Sequence, residues 1–169
     1  PLVNLSRTGF GPGMKVLKRF VDILGSSAAL IFLSPVTLLL ALAVKKGSAG
    51  PIFYRQERLG LHGKPFQIIK FRTMIEGAEG SRPQLSSDED PRITAVGRRL
   101  RKTRLDELPQ FWNVLKGEMS LVGPRPERAF FTDQIIQHSP HFLRLQQVRP
   151  GITSWGQVKY GYAENVNEM

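Results

Sequence analysis

From Phe20 to Val44 the chain runs through an almost unbroken apolar block, FVDILGSSAALIFLSPVTLLLALAV, in which Asp22 is the only charge. Lys15, Lys18 and Arg19 precede the block, and Lys45 and Lys46 follow it. Roughly 20 apolar residues suffice for a helix to cross a bilayer, so length permits a span. The block is too long and too late in the chain for the apolar part of a secretory signal. Two features favour another geometry. Basic residues at both ends place both ends on one side of a membrane. Ser34-Pro35 also falls in mid-segment, where proline removes a backbone donor and clashes with the preceding turn. Each arm then has about a dozen residues, or roughly 18 Å, well short of a ~30 Å hydrocarbon core. A kinked re-entrant hairpin that enters and leaves by one face satisfies all three observations. A Pro-kinked spanning helix is the alternative.

Beyond the block the periodicity changes. Ile52 to Arg58 and Phe66 to Met74 are rich in aromatic and β-branched residues, with a Gly-bearing connector between them, and predict a β-hairpin. Gly77 to Pro91 is polar and predicts a surface loop. Arg92 to Arg104 sets Val96 and Leu100 four apart among Arg98, Arg99, Arg101, Lys102 and Arg104. That pattern predicts a short basic helix suited to an anionic membrane surface. Pro109 to Lys116 predicts a second helix, stopped by Gly117, with Phe111, Trp112 and Leu115 on its buried side. Glu127 to Gln137 and Phe142 to Val148 predict two more. The lead-in, residues 1–13, has no periodicity. The expected organisation is therefore residues 1–13 as lead-in, 14–46 as the membrane helix and 47–169 as a catalytic domain forming one functional unit with it.

Composition narrows the chemistry. The 169 residues suit one ordinary domain, and 24 basic against 14 acidic residues leave a net charge of +10. Such a surplus calls for an anionic partner without choosing among nucleic acid, anionic lipid and polyphosphate. There is no cysteine, which excludes disulfide and thiolate chemistry. His62, His138 and His141 have no metal-ligand spacing. No phosphate-binding GxxxxGK[ST] loop, no GxGxxG after a strand and no Gly-x-Ser-x-Gly elbow is present.

The candidate chemistry centres on Arg104-Leu105-Asp106-Glu107-Leu108-Pro109-Gln110. Two carboxylates stand just before a helix that begins at Pro109, where the helix dipole and free N–H groups favour anions and lower an Asp pKa. An ionised Asp can attack phosphorus and form a covalent intermediate. A neighbouring Glu can hold Mg²⁺ through hard oxygen ligands. Helix capping alone also accounts for acidic residues there, and on this motif alone it is the stronger account. Pro124-Arg125-Pro126 and Arg149-Pro150-Gly151 hold arginines in rigid settings suited to phosphate. Lys70 and Arg72 add a cationic strand end. Three anchored cationic sites beside an acidic pair fit a polyphosphate substrate handled with a metal.

These segments stand in an order that resembles one family. Lys18-Arg19-x-x-Asp22, the break at Ser34-Pro35, Gly63-Lys64-x-Phe66, Lys70-Phe71-Arg72-Thr73-Met74, Arg104-x-Asp106-Glu107-Leu108-Pro109-Gln110, Ser120-Leu121-Val122-Gly123-Pro124-Arg125-Pro126 and Arg149-Pro150-Gly151-Ile152-Thr153 together look like the bacterial sugar transferases, the monotopic polyprenol-phosphate phosphoglycosyl transferases. The resemblance implies an α+β, mainly helical fold: a re-entrant membrane helix, a small β-hairpin, and interfacial amphipathic helices around a compact cytoplasmic catalytic globule. It implies transfer of sugar-1-phosphate from a UDP-sugar to undecaprenyl phosphate, with release of UMP, at the cytoplasmic face of the bacterial inner membrane, where glycoconjugate assembly starts. Asp106 would be the nucleophile, and Glu107 its partner around Mg²⁺ or a proton acceptor. Lys70, Arg72, Arg104, Pro124, Arg125, Pro126 and Arg149 would serve the nucleotide and phosphates. Lys18, Arg19, Asp22, Ser34 and Pro35 would serve the membrane helix, with Arg19 and Asp22 near the headgroups. The implied partners are the UDP-sugar, undecaprenyl phosphate, the phospholipid membrane and a second copy in a homodimer, with no nucleic acid. Larger members carry additional N-terminal membrane helices, which would account for a chain opening on Pro1. The competing reading is a non-enzymatic, membrane-tethered basic module that binds anionic lipid or nucleic acid.

Overall fold

The structure, a computed structural model, describes residues 11–79, 86–87 and 90–160. The lead-in before residue 11, most of the polar loop between 80 and 89, and the tail after Tyr160 lie outside the described residues.

Helix α1 (Pro12–Phe32) starts with proline in its first turn, and α2 (Ser34–Gly47) begins just past Leu33 with Pro35 in its own first turn. The two are bent by 63°. No single helix among the described residues is long and apolar enough to cross a membrane, whereas the bent pair has the length and composition together. The arms are unequal. With 21 residues α1 extends about 32 Å, longer than the first arm expected from the apolar block, because it begins eight residues before Phe20. That extra basic length docks on the globule through Lys18 and Arg19, with Asp22 of the apolar block just beyond them. Val16, Phe20, Leu24, Ile31, Phe32, Leu38 and Leu39 face outward. Apolar side chains outside and polar ones inside invert the pattern of a water-soluble helix.

Strands β1 (Phe53–Leu59) and β2 (Pro65–Phe71) form the antiparallel hairpin, in register from Phe53 opposite Phe71 to Leu59 opposite Pro65. A short 3₁₀ turn, Leu61–Gly63, joins them, with His62 and Gly63 both at positive φ. The second strand ends at Phe71 rather than Met74. Arg72 and Thr73 turn inward and are buried, and Met74 bridges instead to Ile93. Alternation along β2 splits the core in two. Phe71 packs with Val44 and Leu100, while Ile68 packs with Val114 and Met119 on the other face. Each such burial contributes about 1.5–3 kcal/mol.

Helix α3 (Ala95–Thr103) is the basic helix, capped at its start by Thr94 Oγ1 accepting from Gly97 N at 2.9 Å. Its apolar stripe does not lie on a membrane surface as expected. Leu100 is buried against Val44 and Phe71, and Val96 packs beside it. Gly97 lets the helix approach so closely that a Cβ there would run into the Thr73 carbonyl. Helix α4 (Gln110–Lys116) ends at Gly117 in the left-handed conformation, φ 85°, as its sequence predicts. Its buried side differs from expectation: Gln110, Asn113 and Val114 turn in, while Trp112 is 53 % exposed. Asn113 explains the rotation. Its Oδ1 accepts from Ile69 N at 3.1 Å and its Nδ2 donates to Gln67 O at 2.7 Å, so the amide continues the ladder of β2 as a third strand would.

After α4, β3 (Ser120–Val122) pairs in parallel with β4 (Gly151–Thr153). Helix α5 (Ala129–His138), a 3₁₀ segment over Pro140–Gln147 and α6 (Trp155–Tyr160) complete the described chain. The β3–β4 pair is absent from the sequence reading, since three-residue strands show no alternation. Its glycines carry the signal. A Cβ on Gly123 would meet the Arg149 carbonyl, and one on Gly151 would meet the Gly123 backbone, so the two loops need glycine at their crossing.

Candidate active site

Asp106 and Glu107 lie in a 3₁₀ turn, Leu105–Glu107, between α3 and α4. The turn is set by Arg104, a non-glycine residue at φ 57° that closes α3 and reverses the chain. Both carboxylates are buried, at 8 % and 6 % exposure. They are nevertheless held very differently.

Glu107 is clamped. Lys70, which shares the Ile68 face of β2, donates to Glu107 Oε1 at 2.7 Å, and Arg125 Nη1 stands 3.9 Å from the same oxygen. Burial opposes ionisation of Glu107, but Lys70 and Arg125 more than offset it and hold its carboxyl below the usual range. Burial likewise pulls the Lys70 ammonium down, against the upward pull of Glu107. Asp106 receives no hydrogen bond or ion pair from another side chain among the described residues. Burial pushes its carboxyl up, against Lys70 and with Glu107 adding to the rise. The dipole of the following helix was expected to lower it, and desolvation wins instead.

The remaining cations divide into two groups. Arg125 joins the acid pair, and Pro126 and Glu127 hold its loop to β1: Arg58 donates to Pro126 O at 3.1 Å and to Glu127 Oε2 at 3.0 Å. Pro124 fixes the other side, its carbonyl accepting from Gly151 N at 2.8 Å. Arg101, on the basic helix α3, acts on Asp106 electrostatically and donates to Thr73 Oγ1 at 2.9 Å. Arg104 is exposed and lowers the Glu107 pKa from nearby.

The second group lies elsewhere. Arg72 donates to Ser48 O and Ser48 Oγ at 2.8 and 2.9 Å, tying β2 to the turn after α2. Arg149 donates to Gly117 O at 2.9 Å, at the far end of α4 from the acid pair. Arg19 caps the same end through Val114 O and Leu115 O at 2.6 and 2.8 Å. Cations there satisfy the last carbonyls of the helix. Asp22 was expected near headgroups. It is 4 % exposed and accepts instead from Ser120 Oγ at 2.8 Å and Leu121 N at 3.0 Å, with Lys18 also bonded to Ser120. Ser34 caps its own bend, donating to Ile31 O at 2.8 Å.

For a divalent ion the test is the donor set. No group of three or more metal-ligating side chains occurs among the described residues. Two adjacent carboxylates do fit Mg²⁺, which keeps several waters and commonly takes one or two carboxylates plus substrate phosphates.

A buried carboxylate pair, one member clamped by cations and the other without a side-chain partner among the described residues, thus stands in a globule that carries a bent and outwardly apolar helix pair. Residues 13–169 match the family model described as bacterial sugar transferase, and the chain belongs to that family. It is 45 % identical over 152 residues to a UDP-N-acetylgalactosamine-undecaprenyl-phosphate N-acetylgalactosaminephosphotransferase of Aeromonas hydrophila, covering 90 % of this chain and 36 % of the relative. It is 43 % identical over 158 residues to a UDP-glucose:undecaprenyl-phosphate glucose-1-phosphate transferase of Escherichia coli (strain K12), covering 94 % and 34 %. A relative of the latter name in Caulobacter vibrioides is 44 % identical over 142 residues, covering 84 % and 53 %. The chain thus spans about a third of the length of the first two relatives and about half of the third.

Proposed function

We propose that this chain transfers sugar-1-phosphate from a UDP-sugar to undecaprenyl phosphate at the cytoplasmic face of the bacterial inner membrane. The observation that carries the reading is the contrast at the acid pair: Glu107 is clamped by Lys70 and faced by Arg125, while Asp106 beside it is uncommitted. The names of the relatives support the donor and acceptor classes. They differ in the sugar, so the sugar is left open.

In this reading a carboxylate oxygen of Asp106 attacks the phosphorus that bears the sugar. A P–O bond forms, the bond to the UMP oxygen breaks, and UMP leaves with that electron pair. A phosphate oxygen of undecaprenyl phosphate then attacks the aspartyl-phosphorus, and the Asp106 carboxylate is released. Lys70 and Arg125 keep Glu107 ionised and set positive charge beside the phosphates. Burial in an elevated-pKa site leaves Asp106 poorly solvated, and an anion with little hydration is the stronger nucleophile. Asp106 and Glu107 would hold Mg²⁺ jointly with phosphate oxygens, and the ion would neutralise charge on the transferring group.

The bent helix pair is read as a re-entrant membrane hairpin, supported by its outward apolar faces and by basic residues at both ends. Single cysteines placed at Lys15 and Lys46 should then label from one membrane side, and labelling from opposite sides would return the segment to a span. The reaction itself is tested by release of UMP on mixing the chain with undecaprenyl phosphate and a panel of UDP-sugars. Repeated turnover, beyond one UMP per chain, without any dependence on the lipid would contradict the acceptor.

A further inference from the structure

Five charged side chains alternate in sign through the site: Arg58, Glu127, Arg125, Glu107 and Lys70. The outer end of this chain is the better fastened. Arg58 lies on β1, where Nε and Nη2 both donate to Gln56 Oε1, at 3.1 and 2.8 Å. Its Nη1 donates to Glu127 Oε2 at 3.0 Å and to Pro126 O at 3.1 Å. Glu127 is itself 8 % exposed, and its backbone oxygen accepts from Leu59 N at 2.8 Å. Its second carboxylate oxygen, Oε1, stands 3.5 Å from Arg125 Nε.

An arginine side chain is flexible, and holding one in place costs rotamer entropy. Here the near edge of the Arg125 guanidinium faces a fixed carboxylate, and the far edge, through Nη1, faces Glu107. A planar guanidinium gripped on one edge presents the other in a set direction.

We propose that Glu127 and Arg58 are positioning residues for Arg125: Arg58 fixes Glu127, Glu127 holds Arg125 by its Nε edge, and the Nη edge is presented to the donor pyrophosphate beside Glu107. The inference rests on the proposed transferase reading. The plain alternative is that the Arg58–Glu127 pair only secures the loop to β1. A double-mutant cycle separates the two, because a residue that acts through another loses its effect when the other is gone.

The full chain in detergent or nanodiscs is titrated with UDP and assayed with UDP-glucose and UDP-N-acetylgalactosamine. Glu127→Gln and Arg125→Ala should each weaken UDP binding and raise the donor KM by about ten-fold or more, the scale of one charge-assisted hydrogen bond. The double variant should bind no more weakly than Arg125→Ala, although Glu127→Gln lowers the unfolding midpoint in both backgrounds. Effects that multiply, or a lowered midpoint with UDP affinity unchanged, would overturn the proposal. If Glu127→Gln does not fold, Arg58→Lys takes its place in the cycle, keeping the charge and losing the fork. A wild type that binds UDP but transfers nothing would sink the transferase reading, while the UDP cycle would still decide this one. No UDP binding by the wild type would overturn both.

Discussion

Lys70 Nζ donates to Glu107 Oε1 at 2.7 Å, and both side chains are largely withdrawn from water. Removing one partner of such a pair leaves an uncompensated charge in a poorly solvated site, which costs about 3–5 kcal/mol. Lys70→Ala should therefore lower unfolding stability by about 3 kcal/mol, the low end, because Arg125 remains near Glu107. Lys70→Met with Glu107→Leu should recover most of that stability and none of the activity. Denaturant unfolding checks the first figure, and equal stability of Lys70→Ala and wild type would contradict it.

Gly97 and Gly156 make a matched pair. A Cβ at Gly97 would strike the Thr73 carbonyl, whereas Gly156 in α6 has open space around it. Overpacking of this kind costs about 1–3 kcal/mol, and glycine to alanine in an open helix gains up to about 1 kcal/mol. Gly97→Ala should lose stability, and its activity should fall too, because α3 leads directly into the Asp106 turn. Gly156→Ala should be neutral or slightly stabilising. Thermal unfolding of the two variants side by side decides it.

How much of this was legible beforehand depends on the range of each signal. The break between α1 and α2, the hairpin, the Gly117 stop and the acid pair all rest on local chemistry, and each stands within a residue or a few of its expected place. Arg58 and Glu127 gave no signal. One is an arginine in a strand and the other follows a proline in a loop, and only the fold brings them together. Asp22 and Ser120 are 98 residues apart, so nothing local to the apolar block marks the bond between them, and the family resemblance pointed Asp22 toward the headgroups. Trp112 misled for a related reason: hydrophobicity put it inside, but Asn113 needs the inward face of α4 to complete the β2 ladder.

Tyr54 offers a pH test away from the acid pair. Burial, with the hydrogen bond from its hydroxyl to Glu79 Oε2 at 2.8 Å, pushes the phenol from 10.0 up to about 12. A group whose folded pKa is raised adds stability that is fully present below the unfolded value and is lost as pH rises through the folded one. The loss therefore falls between about pH 10 and 12. In an ultraviolet titration the ionisation lost in Tyr54→Phe should have its midpoint at about 12, and Glu79→Gln should lower that midpoint. An unchanged midpoint in that variant would contradict the assignment.

The uncommitted Asp106 carboxylate beside a clamped Glu107 is the centre of the account, and intact-protein mass tests it most directly. The chain is mixed with a UDP-sugar in the absence of undecaprenyl phosphate, and its mass is read before and after. The mass should rise by one sugar phosphate, mapped to Asp106, absent from Asp106→Asn and discharged when the lipid is added. Lipid-dependent turnover by Asp106→Asn at the wild-type rate, or an adduct on any other residue, would contradict it.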